Sequence, residues 1–117
     1  MRTVMIVDDS KFMRNWLKKL LGENNFHVIA EAENGCEAVQ KYKKYSPDIV
    51  VLDLTMPVMN GIEALKKIIK IDPNANIVIC TSLGEKYNVI EALKLGAKDF
   101  VVKPNFDNLI SVLKKLT

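Results

Sequence analysis

The sequence predicts an α/β domain of the doubly wound kind, a five-stranded parallel sheet with five helices on its two faces. Three observations carry that prediction. Five short runs rich in Val and Ile recur: Val4 to Val7, Val28 to Ala30, Ile49 to Leu52, Ile77 to Cys80 and Phe100 to Val102. These runs are nearly continuous rather than alternating, as strands buried on both faces are. The segments between them space their apolar residues by threes and fours, the helical period. Strict strand-helix alternation joins parallel strands by right-handed crossovers.

Each element has its own signals. Val4 to Val7 runs straight into Asp8 and Asp9, and Ser10 can cap the next helix. There Phe12, Met13, Trp16, Leu17, Leu20 and Leu21 form an apolar stripe that places Trp16 in the core. His27 begins the second strand and is expected at the surface. Asn34 or Gly35 opens the second helix, and Ser46-Pro47 stops it. Asn60-Gly61 opens the third helix, whose inner face carries Ile62, Leu65, Ile68 and Ile69, and Asp72-Pro73 ends it. The fourth helix is expected to turn Ile90, Leu93 and Ala97 inward. Lys86 and Val89 are then left on a partly exposed flank, and Gly96 serves as a left-handed C-cap. Leu109, Ile110, Val112, Leu113 and Leu116 mark the last helix.

Composition narrows the function classes. The 117 residues fit one domain, 1–117. Hydrophobic residues at 49% and charged residues at 26% exclude a disordered chain. Cys36 and Cys80 are too few for a disulfide framework or a four-cysteine zinc site, and the single His27 excludes a multi-histidine site. No apolar run approaches the roughly 18 residues of a membrane span, and no signal-peptide pattern opens the chain, so the cytoplasm is the expected location. The net charge of +3 is too mild to imply nucleic acid. Lys18, Lys19, Lys43, Lys44, Lys70, Lys114 and Lys115 fall late in helices, opposite the negative end of the dipole.

Ligands of doubly wound sheets bind outside the carboxyl ends of the strands, where strand order reverses. Asp8 and Asp9 stand at the end of the first strand, Asp53 at the third, Thr81-Ser82 at the fourth and Lys103-Pro104 at the fifth. If these strands are neighbours, three carboxylates, a hydroxyl and an ammonium share one rim. Such carboxylates repel, so raised pKa values or a cation must compensate. All-oxygen ligands suit a hard ion such as Mg2+. A metal facing a lysine suits phosphoryl chemistry, with a carboxylate as the available nucleophile. Met13, Met56 and Met59 read as gap-filling core. Cys80 reads as an inert buried thiol, and Cys36 has no mark of reactivity beyond opening a helix.

Asp8-Asp9, Asp53 within Leu52-Asp53-Leu54-Thr55-Met56-Pro57-Val58-Met59-Asn60-Gly61, Thr81-Ser82 and Lys103-Pro104 together resemble the response-regulator receiver domain. The resemblance covers essentially the whole chain and is closest to the stand-alone, CheY-like chemotaxis type. It implies a flavodoxin-like strand order 2-1-3-4-5, which the apolar pattern alone does not supply. It also implies that Asp53 takes a phosphoryl group from the phosphohistidine of a sensor histidine kinase. Asp9, Asp53 and the Thr55 backbone carbonyl would ligate Mg2+, with Asp8 acting through water. Lys103 and Thr81 would contact the phosphoryl oxygens, Phe100 would be the aromatic switch beside Thr81, and the Lys103-Pro104 bond would be cis. Asn105 stands where the family commonly has phenylalanine, a place Phe106 can fill with a shifted helix start. Thr55 and Leu83 occupy positions that the resemblance links to phosphoryl lifetime.

The functional expectation is a monomeric phosphorelay regulator, not a turnover enzyme, with Mg2+ as cofactor. Its output surface would be the face of the fourth helix, fifth strand and fifth helix. A target protein, such as a flagellar motor switch, would bury Val89 there and pair acidic residues with Lys86; the alternatives are the first helix or a dimer contact. No contact with nucleic acid or membrane is expected. Other readings are a receiver separated from a DNA-binding regulator, a small phosphorelay intermediate, a phosphohydrolase and a flavin carrier. Thr55 stands where the hydrolase would need an acid, and Asp8-Asp9 would repel a flavin phosphate.

Overall fold

Each Val/Ile-rich run forms a strand that extends past the predicted ends: β1 (Arg2–Val7), β2 (Phe26–Ala32), β3 (Ile49–Asp53), β4 (Ile77–Thr81) and β5 (Asp99–Val102). Helices α1 (Lys11–Gly22), α2 (Gly35–Tyr45), α3 (Gly61–Ile71), α4 (Lys86–Leu95) and α5 (Leu109–Lys114) follow them in alternation. The computed structural model describes residues 2–56, 58–81, 86–103 and 106–116, with the Lys86 side chain excepted. The expectations for Ser82, Leu83, the Lys103-Pro104 bond, Asn105 and the Lys86 side chain lie outside the described residues.

All strand pairs are parallel, in the order β2-β1-β3-β4-β5. The chain therefore leaves β1 toward one edge and β3 toward the other, which puts the switch point between those two strands. Alternate side chains feed two cores. Met5, Val7, Val50, Leu52, Ile77 and Ile79 pack against α2, α3 and α4. Val4, Ile6, Val51, Val78, Cys80 and Val101 pack against α1 and α5. Burial on both sides explains why β3, β4 and the Val4–Val7 part of β1 are apolar almost throughout, while the edge strands β2 and β5 also carry polar residues.

The predicted caps form. The side chains of Ser10, Asn34 and Asn60 accept from the backbone N–H of Met13, Glu37 and Glu63, satisfying donors that the first turn leaves open. Ser46 closes α2 in the left-handed region (φ 43°), and Gly96 follows α4 with φ 124°. His27 is exposed, and Cys80 is fully enclosed, where burial pushes its thiol up to about 12.

Two helices face differently from the prediction. In α1 the buried residues are Leu17 and Leu21, whereas Trp16 is 41% and Phe12 73% exposed. The apolar stripe is wider than the contact the sheet offers, and its outer edge stays in water. Trp16 still packs edge-on against Phe106, ring centres 5.3 Å apart, and Phe106 is buried ahead of α5. In α4 the inward residues are Val89 and Ala92, with Ala97 beyond the helix end, whereas Ile90 and Leu93 are exposed. Small residues let α4 approach its neighbours: a Cβ built on Gly96 would stand 3.0 Å from Ile69 Cδ1. Val89 is thus a core residue, and the exposed apolar face carries Tyr87, Ile90, Leu93 and Phe100.

Candidate functional site

The polar residues that end four strands meet at the carboxyl rim of the sheet. Asp53 is the last residue of β3 and sits in register with Cys80 on β4; Thr81 ends β4 opposite Val102 of β5. Lys103 comes next, its backbone N–H donating to the Thr81 carbonyl at 2.6 Å. From the sheet edge its side chain reaches back across the rim. Nζ lies 2.6 Å from Asp8 Oδ2 and 3.2 Å from Asp53 Oδ2.

Carboxylate oxygens of Asp8, Asp9 and Asp53 lie within 4.8 Å of one another. Asp8 and Asp53 are buried, and Asp9 is exposed. Asp8 has both oxygens engaged, since Oδ1 accepts from the Ser10 N–H at 2.8 Å while Oδ2 holds Lys103. Asp53 Oδ1 accepts from the Thr55 N–H at 3.2 Å. Thr81 is buried beside the cluster, Thr55 is exposed, and Phe100 on β5 turns partly outward.

The electrostatics follow from burial and crowding. Burial pushes the Asp53 carboxyl above the usual carboxylate range; Lys103 pulls against that shift, and the Asp8 charge adds to it. Burial alone would lower the Lys103 ammonium. Its hydrogen bond to Asp8 and the charges of Asp53 and Asp8 outweigh that effect and hold it above the usual lysine range. Lys103 therefore stays charged and neutralises part of the acidic cluster. Three oxygen-bearing acids with one exposed member form a donor set that can hold a hard divalent ion.

Two close approaches fix the loop that carries Asp53 into α3. A Cβ on Gly61 would stand 2.3 Å from the Asp53 carbonyl oxygen, and one on Gly35 2.4 Å from that of Met59. The Gly35 N–H donates to the Met59 carbonyl, tying the start of α2 to the same loop. Asp8, Asp9, Asp53, Thr55, Thr81 and Lys103 are thus at one rim, whereas Phe100 lies within β5, in register with Ile79. Sequence reasoning missed Arg14 and Glu31. Arg14 Nη1 donates to the Asp8 carbonyl at 2.7 Å, and its Nε to Glu31 Oε1 at 3.1 Å. A signal was present: Arg14 interrupts the apolar stripe of α1 between Met13 and Leu17, and Glu31 interrupts the apolar course of β2.

A doubly wound sheet in this order, with an acidic cluster and a lysine at its switch point, defines a receiver-type phosphorelay domain. The family model for the response regulator receiver domain matches residues 4–114, and the chain belongs to that family. Among its relatives, the chemotaxis protein CheY of Thermotoga maritima is 56% identical over 103 residues, 88% of this chain and 86% of that protein. CheY of Bacillus subtilis is 50% identical over 113 residues, 96% of this chain and 94% of that one. The crystal structure of the CheX-CheY-BeF3-Mg2+ complex from Borrelia burgdorferi matches with a TM-score of 0.93 at 38% identity, covering 98% of this chain and 88% of that one. The strand order, the known one of flavodoxin-like chemotaxis receivers, agrees with the resemblance. Receivers of this kind are signalling proteins, and no described helix is long and apolar enough to cross a membrane.

Proposed function

We propose that this receiver is a single-unit chemotaxis regulator in which Asp53 accepts a phosphoryl group from the phosphohistidine of a sensor kinase. The observation that carries the reading is the position of Asp53: buried at the switch point, 3.2 Å from Lys103 Nζ and within one acidic cluster with Asp8 and Asp9. An Asp53 oxygen attacks phosphorus while the bond to the imidazole nitrogen breaks, and the leaving imidazole takes the electron pair. Lys103 stands where it can neutralise phosphoryl oxygens, and Thr81, buried at the end of β4, can offer them its hydroxyl.

Asp9, Asp53 and the Thr55 carbonyl would hold Mg2+, with Asp8 acting through water; both Asp8 oxygens already have partners within the protein. When bound by these residues, the ion would supply positive charge that offsets the repulsion between the acids and a phosphoryl group. CheY of the Borrelia complex was crystallised with BeF3 and Mg2+, which favours the same metal here.

Output rests on Thr81 and Phe100. If the Thr81 hydroxyl moves toward the phosphoryl group, Phe100, now turned partly outward, can fold in against β4. The target, a motor-switch type of protein in the cytoplasm, then docks on the face of α4, β5 and α5 through Tyr87, Ile90 and Leu93. The protein acts as a monomer and transfers its signal by binding rather than by turnover. Acetyl phosphate with Mg2+, followed by intact-mass measurement, tests the acceptor. Wild type gains one phosphoryl group and Asp53→Asn gains none, because an amide is a poor nucleophile. A full adduct on the Asn variant would overturn the assignment.

A further inference from the structure

We propose that Arg14 is a positioning residue that fixes the peptide unit between Asp8 and Asp9, and through it the aim of both carboxylates at Asp53. The importance of that aim for metal binding rests on the function proposed above; the clamp itself stands on geometry.

The Asp8 carbonyl belongs to the peptide plane that joins Asp8 to Asp9. Holding that oxygen sets ψ of Asp8 and φ of Asp9, the rotations that aim the two side chains. The Asp8 N–H donates to the Ala32 carbonyl at 3.0 Å, continuing the β1–β2 ladder. Its carbonyl has left the ladder, and Arg14 Nη1 donates to it at 2.7 Å. Asp8 is therefore gripped at both backbone groups, by β2 on one side and by α1 on the other.

Arg14 can grip because it is itself immobilised. A guanidinium is a rigid planar fork whose donors leave in fixed directions. With Nε on Glu31 Oε1 at 3.1 Å, the direction of Nη1 is determined. Glu31 is anchored in turn. Its backbone carbonyl accepts from Lys41, whereas the contact of its Oε2 with Lys18 Nζ, a side chain 42% exposed, is screened by water and adds little to its hold. The Arg14 side chain is only 12% exposed, so water competes weakly for its donors. A lysine in its place could serve the carbonyl or the carboxylate, but not both in one fixed geometry. Lys18 provides an internal control: it shares Glu31 with Arg14 and is paired with nothing in the β1–α1 loop.

The experiment reads the peptide and the metal separately, on the full chain. In metal-free protein, the three-bond amide-to-Hα coupling of Asp9 reports its φ. Arg14→Ala is expected to shift that coupling, and Lys18→Ala to leave it unchanged. Titration with Mg2+ alone, followed by calorimetry, should show affinity falling about 10- to 100-fold in Arg14→Ala, as when residues that orient metal ligands are removed. Arg14→Lys should fall between Arg14→Ala and wild type, and Lys18→Ala should stay within about twofold of wild type by the same comparison. Arg14→Lys keeps the charge and so tests the same points if Arg14→Ala does not fold. An unchanged Asp9 coupling in both Arg14 variants overturns the proposal, as does an equal loss of Mg2+ affinity in Lys18→Ala. If wild type binds no Mg2+ while the coupling shifts as expected, the clamp stands and the metal assignment of the cluster fails.

Discussion

Val58 holds a backbone conformation, φ 61°, that a β-branched residue adopts only with strain, and its side chain is 71% exposed. The left-handed region costs an ordinary residue about 1–2 kcal/mol, and asparagine tolerates it better than valine. Val58→Asn should therefore raise stability by about 1 kcal/mol, roughly 4 °C in a thermal melt. A lower melting temperature would mean that the Val58 side chain contributes more than its exposure suggests. Nothing in the sequence marks Val58, because the turn signal there is Asn60-Gly61, two residues on. The acidic and basic rim was legible for the opposite reason. Asp8, Asp53, Thr81 and Lys103 each end an apolar run, and a polar residue at that point has few purely structural explanations. Arg14 and Glu31 left only an ambiguous signal, because a charge that interrupts an apolar course also reads as an ordinary charge at the edge of an amphipathic element. Only the folded chain shows that the two meet and hold the Asp8 carbonyl.

Among the elements, β-strands were the most legible and helix orientation the least. Strands buried on both faces need apolar residues throughout, so no choice of face has to be made. A helix with two adjacent apolar stripes does require one. In α4 the stripes are Val89 with Ala92 and Ile90 with Leu93; the larger side chains suggested the second, and the close approach allowed by Ala92 and Gly96 selects the first. α1 shows the same ambiguity, with Trp16 left at the edge of a stripe that turns Leu17 and Leu21 inward. The assignment for α4 separates two substitutions. Val89→Asp would bury a carboxylate in the core under α4 and should cost about 3 kcal/mol or more, seen as a lower denaturant midpoint. Ile90→Asp lies on the exposed stripe and should change stability by less than about 1 kcal/mol while abolishing target binding. Phosphorylation of Asp53 should survive Ile90→Asp. Unchanged target affinity in that variant would move the docking surface away from α4.

At the scale of the molecule, stability and site share one rim. The two cores close on either side of the sheet, and the strand ends that they order carry the acids and the lysine. Strand order itself was not legible in the apolar pattern, since every strand reads alike. It came only with the resemblance to the receiver family that the motif residues carry, and in the structure that order brings the ends of β1 and β3 together, where the acids converge. Convergence also makes the fold responsive to cations. Lys103, its side chain 13% exposed, sits 2.6 Å from Asp8 and 3.2 Å from Asp53. Lys103→Met would keep most of the side-chain volume and remove the charge, leaving the enclosed Asp8 carboxylate without its ammonium. Breaking such a pair costs about 3–5 kcal/mol when both partners are well buried. The partial exposure of Lys103 places the expected loss toward the lower end, so the metal-free variant should melt roughly 10 °C below wild type. Mg2+ acts on the same charges. Bound only by the folded state, it stabilises by about 2.7 kcal/mol at a hundred times its dissociation constant. In wild type the ammonium already neutralises part of the cluster, and in the variant the ion meets it with one fewer cation to oppose its approach. Melting temperature should therefore rise more with Mg2+ in Lys103→Met than in wild type, in scans across a range of ion concentrations. Equal increments in the two proteins would show that the ammonium and the ion do not share the cluster, and that Lys103 stabilises the fold independently of the metal.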